Sequence, residues 1–171
     1  MDSRKLSNFG SIPKALSKFF ELIDRKKKPP GIYFHGQVGC GKTHLADAIK
    51  NELGDRKVFC VVSDMTHLIE LFKNDELKMK DLKDPDVFIL DGVGSEPRTE
   101  KLPTNVLNLV IHSRLTAKKP LIIMSRVNPK LISTTYSENV LLMIDEVCVP
   151  VKLDWENYRK KIAAKNKKLL S

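Results

Sequence analysis

The chain has 171 residues, of which 42% are hydrophobic and 30% charged, a composition typical of one soluble globular domain with its own core. None of its apolar runs is long enough for a membrane span, and its polar start is unlike a secretory signal, so we expect no membrane contact and a cytoplasmic, reducing location. Three widely spaced cysteines favour the same setting, and a net charge of +9 favours a polyanionic partner.

The first predicted elements are a helix, a linker and a strand. An apolar stripe over residues 12–24 predicts an amphipathic helix with Ser11 as its N-cap. A basic linker follows, in which residues 25–28 read R-K-K-K. The apolar run 31–35 then predicts a strand, and residues 43–53 predict the helix after it.

A complete phosphate-binding loop of the pattern G-x-x-x-x-G-K-[ST] joins that strand to that helix. Its residues are Gly36, Gln37, Val38, Gly39, Cys40, Gly41, Lys42 and Thr43, and His44 follows. The glycines let backbone N–H groups turn inward around a polyphosphate, and the helix N-terminus adds partial positive charge. Lys42 is expected to reach the β- and γ-phosphates and Thr43 to hold Mg²⁺. The sequence therefore predicts binding of ATP with Mg²⁺ by residues 36–44.

Further strands alternate with helices along the rest of the chain. The predicted strands cover residues 57–62, 86–91, 120–125 and 147–153. The predicted helices cover residues 65–73 and 103–116, one or two stretches within 128–144, and a terminal helix from 155 that carries Trp155. This alternation predicts an α/β fold, a Rossmann-like parallel sheet of about five strands wrapped by helices, as in P-loop NTPases.

We expect three parts in this chain. Residues 1–30 form an N-terminal helix and basic linker, residues 31–154 the nucleotide-binding core, and residues 155–171 a basic C-terminal helix. Ligand is expected at the carboxyl ends of the strands, where the phosphate loop and Asp91 both fall.

Asp91 ends an apolar strand about fifty residues after the phosphate loop, which is the Walker B pattern. Its carboxylate is expected to orient Mg²⁺ through water. An ordinary strand that happens to end in Asp is the alternative, but the preceding loop favours the functional interpretation.

Residues 91–96 read D-G-V-G-S-E and resemble the D-D-L-G-x-E stretch of the DnaC/DnaI/IstB group of AAA+ ATPases, relatives of the initiator DnaA. The phosphate loop with its flanks, the helix that contains residues 108–114, the strand at 119–125 and the segment 149–159 are similar to the same group, in the same order. The resemblance covers roughly residues 30–160. It implies an AAA+ core that loads a replicative helicase, or assists a transposase, in an ATP-dependent manner on DNA.

Three positions depart from the pattern of that group. Gly92 stands where an acid usually polarises the attacking water, and Arg126 stands where the sensor-1 Asn is expected. The arginine finger would fall near Met143, yet the sequence has no arginine between Arg126 and Arg159. An arginine finger alone accelerates turnover about 10³- to 10⁵-fold, so its absence is expected to slow ATP hydrolysis.

Two interpretations of these departures are open. Glu96 and Arg126 could substitute for the missing groups, and Arg159 could sense the nucleotide. Otherwise the domain hydrolyses ATP weakly, or only with a partner, and uses the nucleotide as a structural switch. We favour the switch, in which case Gly92→Glu is expected to restore some turnover.

The implied partners are nucleotide, DNA and a protein such as a replicative helicase or another replication or transposition protein. Basic runs at 25–28 and 159–168 predict contacts with a DNA backbone, preferably single-stranded. The compact size suggests a phage, plasmid or viral origin.

Three other functions remain compatible with the phosphate loop. They are a non-catalytic ATP-gated interaction module, a superfamily-three-like replication helicase and a P-loop nucleotide kinase. Kinases usually carry an arginine-bearing lid, whereas residues 95–119 contain only Arg98 and Arg114.

Overall fold

The computed structural model describes residues 6, 12–97, 101–157, 160, 163, 166 and 167. Its strands are β1 (Gly31–Gly36), β2 (Cys60–Asp64), β3 (Val87–Val93), β4 (Leu121–Ser125) and β5 (Cys148–Leu153). Its helices are α1 (Lys14–Asp24), α2 (Lys42–Asp55), α3 (Met65–Lys73), α4 (Met79–Lys83), α5 (Leu102–Ala117), α6 (Ile132–Thr135) and α7 (Glu138–Val147). A short 3₁₀ turn at Pro129–Leu131 precedes α6.

Within these residues the strands form one parallel sheet in the order β2-β3-β4-β1-β5. The predicted α/β class and five-stranded sheet are therefore confirmed. Because all strands run the same way, their carboxyl ends share one edge of the sheet, and the loops that enter them share the opposite edge. We call these the carboxyl edge and the amino edge.

Helices cover both faces of the sheet, which explains why β3 and β4 are apolar almost throughout. Helices α1 and α2 pack on one face, where Leu16, Phe19 and Ile49 are buried. Helices α3, α5 and α7 pack on the other, where Leu68 and Val110 are buried among similar side chains. The α-β-α layers hold the strand ends rigidly, so loops on the carboxyl edge have a fixed support.

The largest difference from the predicted strands concerns β2, which begins at Cys60 rather than at residue 57. The N–H groups of Lys57 and Val58 bond back to carbonyls of α2, at Gly54 and Leu53, and so cannot join the ladder. At the other end β2 extends to Asp64, whose side chain accepts a hydrogen bond from the Thr66 N–H and caps α3 as expected.

Arg114 on α5 is only 1% exposed and ties this helix to the amino edge. Its Nη1 donates to the carbonyls of Leu82 and Pro85 at 2.9 and 2.8 Å. Its Nη2 donates to those of Asp86 and Pro120 at 3.2 and 3.1 Å. Burial lowers the pKa of this guanidinium to about 10, so it stays charged at neutral pH.

The outer strand β5 pairs with β1, and no other described strand lies beside it. Val149 on this strand is 45% exposed, and Pro150 follows it in an exposed position. After β5 the chain is not helical through Asn157, so Trp155 precedes the terminal helix instead of lying in it. Trp155 packs against the core on the α1–α2 face, as expected for packing against the body.

Some sequence expectations fall outside the described residues. These are the N-cap role of Ser11 and the roles of Tyr158, Arg159 and Ile162 in the terminal helix. No described helix is both long enough and apolar enough to cross a membrane.

Candidate nucleotide-binding site

The phosphate loop lies on the carboxyl edge, between the end of β1 at Gly36 and the start of α2 at Lys42. Gly39 and Gly41 have φ angles of 83° and 91°, a left-handed backbone that glycine adopts without strain. A Cβ atom at Gly39 would lie 2.3 Å from Asn157 Oδ1, and one at Gly36 would lie 2.6 Å from the Leu153 carbonyl oxygen. Gly36 therefore requires glycine for space, because the atom in the way is backbone, whereas the left-handed backbone is the stronger constraint at Gly39.

The Lys42 ammonium is directed into this loop. Its Nζ donates to the carbonyl oxygens of Gly36 and Gln37 at 2.7 and 2.9 Å and lies 3.6 Å from Cys40 Sγ. The Cys40 side chain itself is 3% exposed and belongs to the core. A helix N-terminus, left-handed glycines and one ammonium are the donor set that suits a chain of phosphates.

The neighbouring strand ends bring the other predicted site residues to the same edge. Because β4 lies between β3 and β1, Arg126 lies between Asp91 and the phosphate loop. Asp91 is half-buried, and its Oδ1 accepts a hydrogen bond from the Gly92 N–H at 2.8 Å. Thr43 is exposed at the start of α2. Hydroxyl and carboxylate oxygens suit Mg²⁺, so the residues present fit that ion.

A cleft of about 440 Å³ opens between the phosphate loop and the chain that follows β4 and β5. Its lining includes Gln37 of the loop, Arg126, Asn128, Lys152 and Asn157. The Asn157 Nδ2 donates to the Val38 carbonyl at 2.9 Å and so joins the segment after β5 to the loop. The lining is mixed in charge, because Asp154 and Glu156 stand beside Arg126 and Lys152.

Sequence reasoning missed Asn128 and Asn157 as site residues. Arg126 stands at the expected sensor-1 position, and Asn128 lines the same cleft two residues later, where its Oδ1 accepts a hydrogen bond from the Lys130 N–H at 3.0 Å. Asn157 was seen only as part of the resemblance, because its contact with the loop depends on how β5 is placed.

A buried hydrogen-bond network fixes the strand ends beneath the cleft. The Ser125 hydroxyl donates to the Val93 carbonyl at 3.1 Å and accepts from the Val127 N–H at 2.9 Å. The Tyr33 hydroxyl lies 2.7 Å from Ser125 Oγ and 2.9 Å from the Val127 carbonyl. Burial raises the pKa of Tyr33, so its hydroxyl stays protonated and remains a donor.

Glu96 is 5% exposed, and both of its carboxylate oxygens are hydrogen-bonded. Oε2 accepts from the Gly94 N–H at 2.9 Å, and Oε1 accepts from the Tyr136 hydroxyl. Burial and the neighbouring Glu96 raise the pKa of Tyr136, which keeps this donor protonated. These contacts give Glu96 a structural role between the β3–α5 loop and α6. A catalytic role for it stays a prediction.

Gly92, which replaces the second acid of the motif, has a φ angle of 79°. A Cβ atom there would lie 2.5 Å from Asp64 Oδ2. Asp64 and Asp91 are register partners on β2 and β3. The carboxylate of Asp64 therefore lies close to the space in which a side chain of residue 92 would begin, while its Oδ1 caps helix α3.

Helix α7 lies where the resemblance places an arginine finger, and its sequence contains no arginine, as predicted. Met143 packs against the core beneath this helix. The charged side chains of α7 are Glu138, Asp145 and Glu146, which are exposed and acidic. Arg159, the predicted nucleotide-sensing residue, is outside the described residues.

A parallel sheet with a phosphate loop after its first strand, an Asp near the end of the next strand but one and a polar residue after the strand between them defines a P-loop domain of the AAA+ class. The chain belongs to the family of the bacterial DnaA ATPase domain, whose pattern matches residues 17–146.

Similar proteins support the same placement. The chain is 27% identical over 173 residues to the replicative helicase loader DnaI of Bacillus subtilis, covering 87% of this chain and 56% of DnaI. It is 29% identical over 143 residues to the replicative helicase loader DnaC of Escherichia coli, covering 77% of this chain and 57% of DnaC. It thus spans little more than half the length of these relatives.

Among solved structures, AMPPCP-bound DnaA from Aquifex aeolicus matches the fold with a TM-score of 0.70 at 20% sequence identity. That match covers 98% of this chain and 56% of the DnaA chain. The DnaA of that structure holds an ATP analogue, so a member of this fold binds nucleotide.

Proposed function

We propose that this chain binds ATP with Mg²⁺ and acts in DNA replication or mobile-element DNA handling as a helicase-loader-like protein. The observation that carries this proposal is the order of groups on the carboxyl edge: Asp91 near the end of β3, Arg126 directly after β4 and the phosphate loop directly after β1, on three adjacent strands. Similarity to DnaI and DnaC supports the helicase-loading role.

Each residue of the site has a proposed role. The backbone amides of residues 36–44 and the Lys42 ammonium hold the phosphates, as the inward direction of Nζ supports. Thr43 and Asp91 hold Mg²⁺, which when bound neutralises phosphate charge. Arg126 and Asn128 line the adjoining cleft, from which they can contact the terminal phosphate.

Hydrolysis by the isolated chain is proposed to be weak or dependent on a partner. Gly92 carries no acid, both oxygens of Glu96 are already bonded, and α7 offers no arginine. Nucleotide binding then acts as a switch that changes the affinity for a protein partner or DNA. The proposed protein partner is a replicative helicase, by similarity to the loaders.

Isothermal calorimetry with ATP and Mg²⁺ tests the binding site. Wild-type chain is expected to bind, and Lys42→Ala to bind roughly 10- to 100-fold more weakly, because charge-assisted hydrogen bonds to phosphate are lost. Lys50→Ala is the matched control, since Lys50 is an exposed lysine of the same helix α2. Lack of Mg²⁺-dependent ATP binding by wild-type chain would refute the proposal.

Turnover separates the rival functions. ATP hydrolysis is measured alone, with single-stranded DNA and with a replicative helicase. Slow basal turnover that a partner accelerates supports a loader-like switch. Transfer of phosphate to a nucleoside or nucleotide would identify a kinase and overturn the proposal.

A further inference from the structure

Asn157 joins two parts of the molecule that are far apart in the sequence. It follows β5 and lines the cleft beside the phosphate loop. Its Nδ2 donates to the Val38 carbonyl of that loop at 2.9 Å. Its Oδ1 and its backbone carbonyl oxygen accept from the Lys160 N–H at 3.2 and 3.1 Å. A nitrogen against a carbonyl and an oxygen against an N–H allow only one orientation of the amide, so both contacts are made at once.

The contact with Val38 orients one peptide group of the phosphate loop. In a planar trans peptide the C=O and the N–H point in opposite directions. Because the Val38 carbonyl points to Asn157, the Gly39 N–H points away from it. This N–H has no acceptor among the residues that the structure describes. An unpaired N–H in a glycine-rich loop is a donor that suits a phosphate oxygen.

Packing on two sides holds the Asn157 side chain in this place. The amide lies directly against Gly39, where a Cβ atom would come within 2.3 Å of Asn157 Oδ1. Two residues earlier, Trp155 packs against the core on the α1–α2 face and anchors the segment after β5. The amide is therefore fixed beside the loop by contacts that do not depend on its own hydrogen bonds.

The contact with Lys160 is a helix cap. An Asn side chain that accepts from the N–H three residues later satisfies a donor that the first helical turn leaves unpaired. Lys160 is helical and belongs to the basic run at 159–168. One side chain thus bonds the phosphate loop through its nitrogen and begins the terminal helix through its oxygen.

We propose that Asn157 is a positioning residue of the nucleotide site, which directs the Gly39 N–H toward phosphate and couples the phosphate loop to the start of the terminal helix. The proposal rests on the proposed binding of ATP. A phosphate that accepts from the Gly39 N–H polarises this peptide and strengthens the bond between Val38 and Asn157, because hydrogen bonds in a chain reinforce one another. By linkage, nucleotide in the loop stabilises the helix start, and loss of the Asn157 amide weakens nucleotide binding.

The variant Asn157→Ser separates the two contacts. Serine is a good helix cap, so it keeps the bond to the Lys160 N–H, but it lacks the amide nitrogen that bonds Val38. Its dissociation constants for ADP and for ATP, measured by calorimetry with Mg²⁺, are expected to rise by the same factor of roughly 3 to 10, the effect of one neutral hydrogen bond. Both nucleotides are affected because the loop holds the phosphates that they share.

Asn139→Ser is the matched control. Asn139 is exposed on α7, outside the cleft, and its Nδ2 donates to Asn108 Oδ1 at 3.2 Å. This variant loses an amide donor as Asn157→Ser does, but it should bind both nucleotides as wild type does.

Hydrogen exchange at the Lys160 N–H measures the coupling. In wild type, ADP with Mg²⁺ is expected to slow this exchange roughly 3- to 10-fold, a factor similar to the change in affinity because coupling between two sites is reciprocal. In Asn157→Ser the exchange at this N–H is expected to be the same with and without ADP, even at nucleotide concentrations that saturate the variant.

Three results would overturn the assignment. Wild-type affinities in Asn157→Ser would leave Asn157 as a helix cap alone, and a loss for ATP without a loss for ADP would place its action at the terminal phosphate instead of the loop. Exchange at Lys160 that ADP does not slow in wild type would remove the coupling. A wild-type chain that binds neither nucleotide would instead count against the proposed function, so the two failures are distinguishable.

Discussion

Gly92 decides how the Walker B region of this chain is built. Its left-handed backbone strains any other residue, and a side chain at this position would also displace the nearby Asp64 carboxylate. A sequence comparison sees only a missing acid, whereas the structure also shows that the Asp64 carboxylate of the neighbouring strand lies beside Gly92. The difference matters for any attempt to repair the motif.

Gly92→Glu is expected to lower the free energy of unfolding by at least about 1–2 kcal/mol, because a non-glycine residue in this backbone conformation is strained. It is also expected to leave ATP turnover unrepaired, contrary to the expectation from sequence, since the new side chain begins against Asp64. Urea unfolding and a turnover assay measure the two effects.

Gly54→Ala is the control for that substitution. Gly54 lies within α2, and a Cβ atom there meets nothing within 4 Å, so alanine should stabilise by about 0.5–1 kcal/mol. Turnover restored by Gly92→Glu at wild-type stability would show that this region can rearrange.

The site residues that sequence could predict are those with a local pattern. The phosphate loop and Asp91 follow from spacing alone, and the structure brings both to the carboxyl edge. The positions of Asp64 and Asn157 could not be predicted, because each side chain lies beside a glycine that is distant in the chain. Asp64 lies beside Gly92, and Asn157 lies beside Gly39. Such contacts depend on strand register and on the path after β5.

At the scale of elements, helix α5 is held to the sheet by Arg114 as well as by apolar packing. Arg114→Met is expected to cost more than about 3 kcal/mol of unfolding free energy, because several buried carbonyls would lose their donor. Chemical denaturation measures this loss.

Arg25→Met gives the comparison for an exposed arginine. Arg25 pairs with Glu21 at 2.7 Å on the surface, and removing such an exposed pair should change stability far less than Arg114→Met does. Equal stabilities of the two variants would mean that the carbonyls around Arg114 find other donors.

Element boundaries were predictable where the apolar pattern and the hydrogen bonding agree. Helix α3 has the predicted bounds because Asp64 caps it where the pattern begins. Strand β2 starts three residues late because the end of α2 uses the N–H groups of Lys57 and Val58. The hydrophobic pattern of a sequence does not show which of two elements will use a given N–H group.

At the scale of the whole molecule, the stability should depend on pH through His35. Burial and then the charge of Lys152 lower the pKa of His35 below its ordinary value of 6.5. The unfolded chain therefore binds a proton at a higher pH than the folded chain does, and stability present above about pH 6.5 is lost as the pH falls.

Urea unfolding at a series of pH values checks this expectation. His35→Gln should flatten the decline below about pH 6.5, and His112→Gln, at an exposed histidine of α5, is the control. An unchanged decline in His35→Gln would assign the pH dependence to other groups.

The outer strand β5 has a consequence for concentrated solutions of the protein. An unpaired strand edge can serve as a template on which another chain adds a strand and aggregation starts. Pro150 supplies no N–H to an incoming strand, and Lys152 places an exposed charge two residues later. Growth of the sheet beyond β5 is thereby discouraged, even though Val149 on the same strand exposes an apolar side chain.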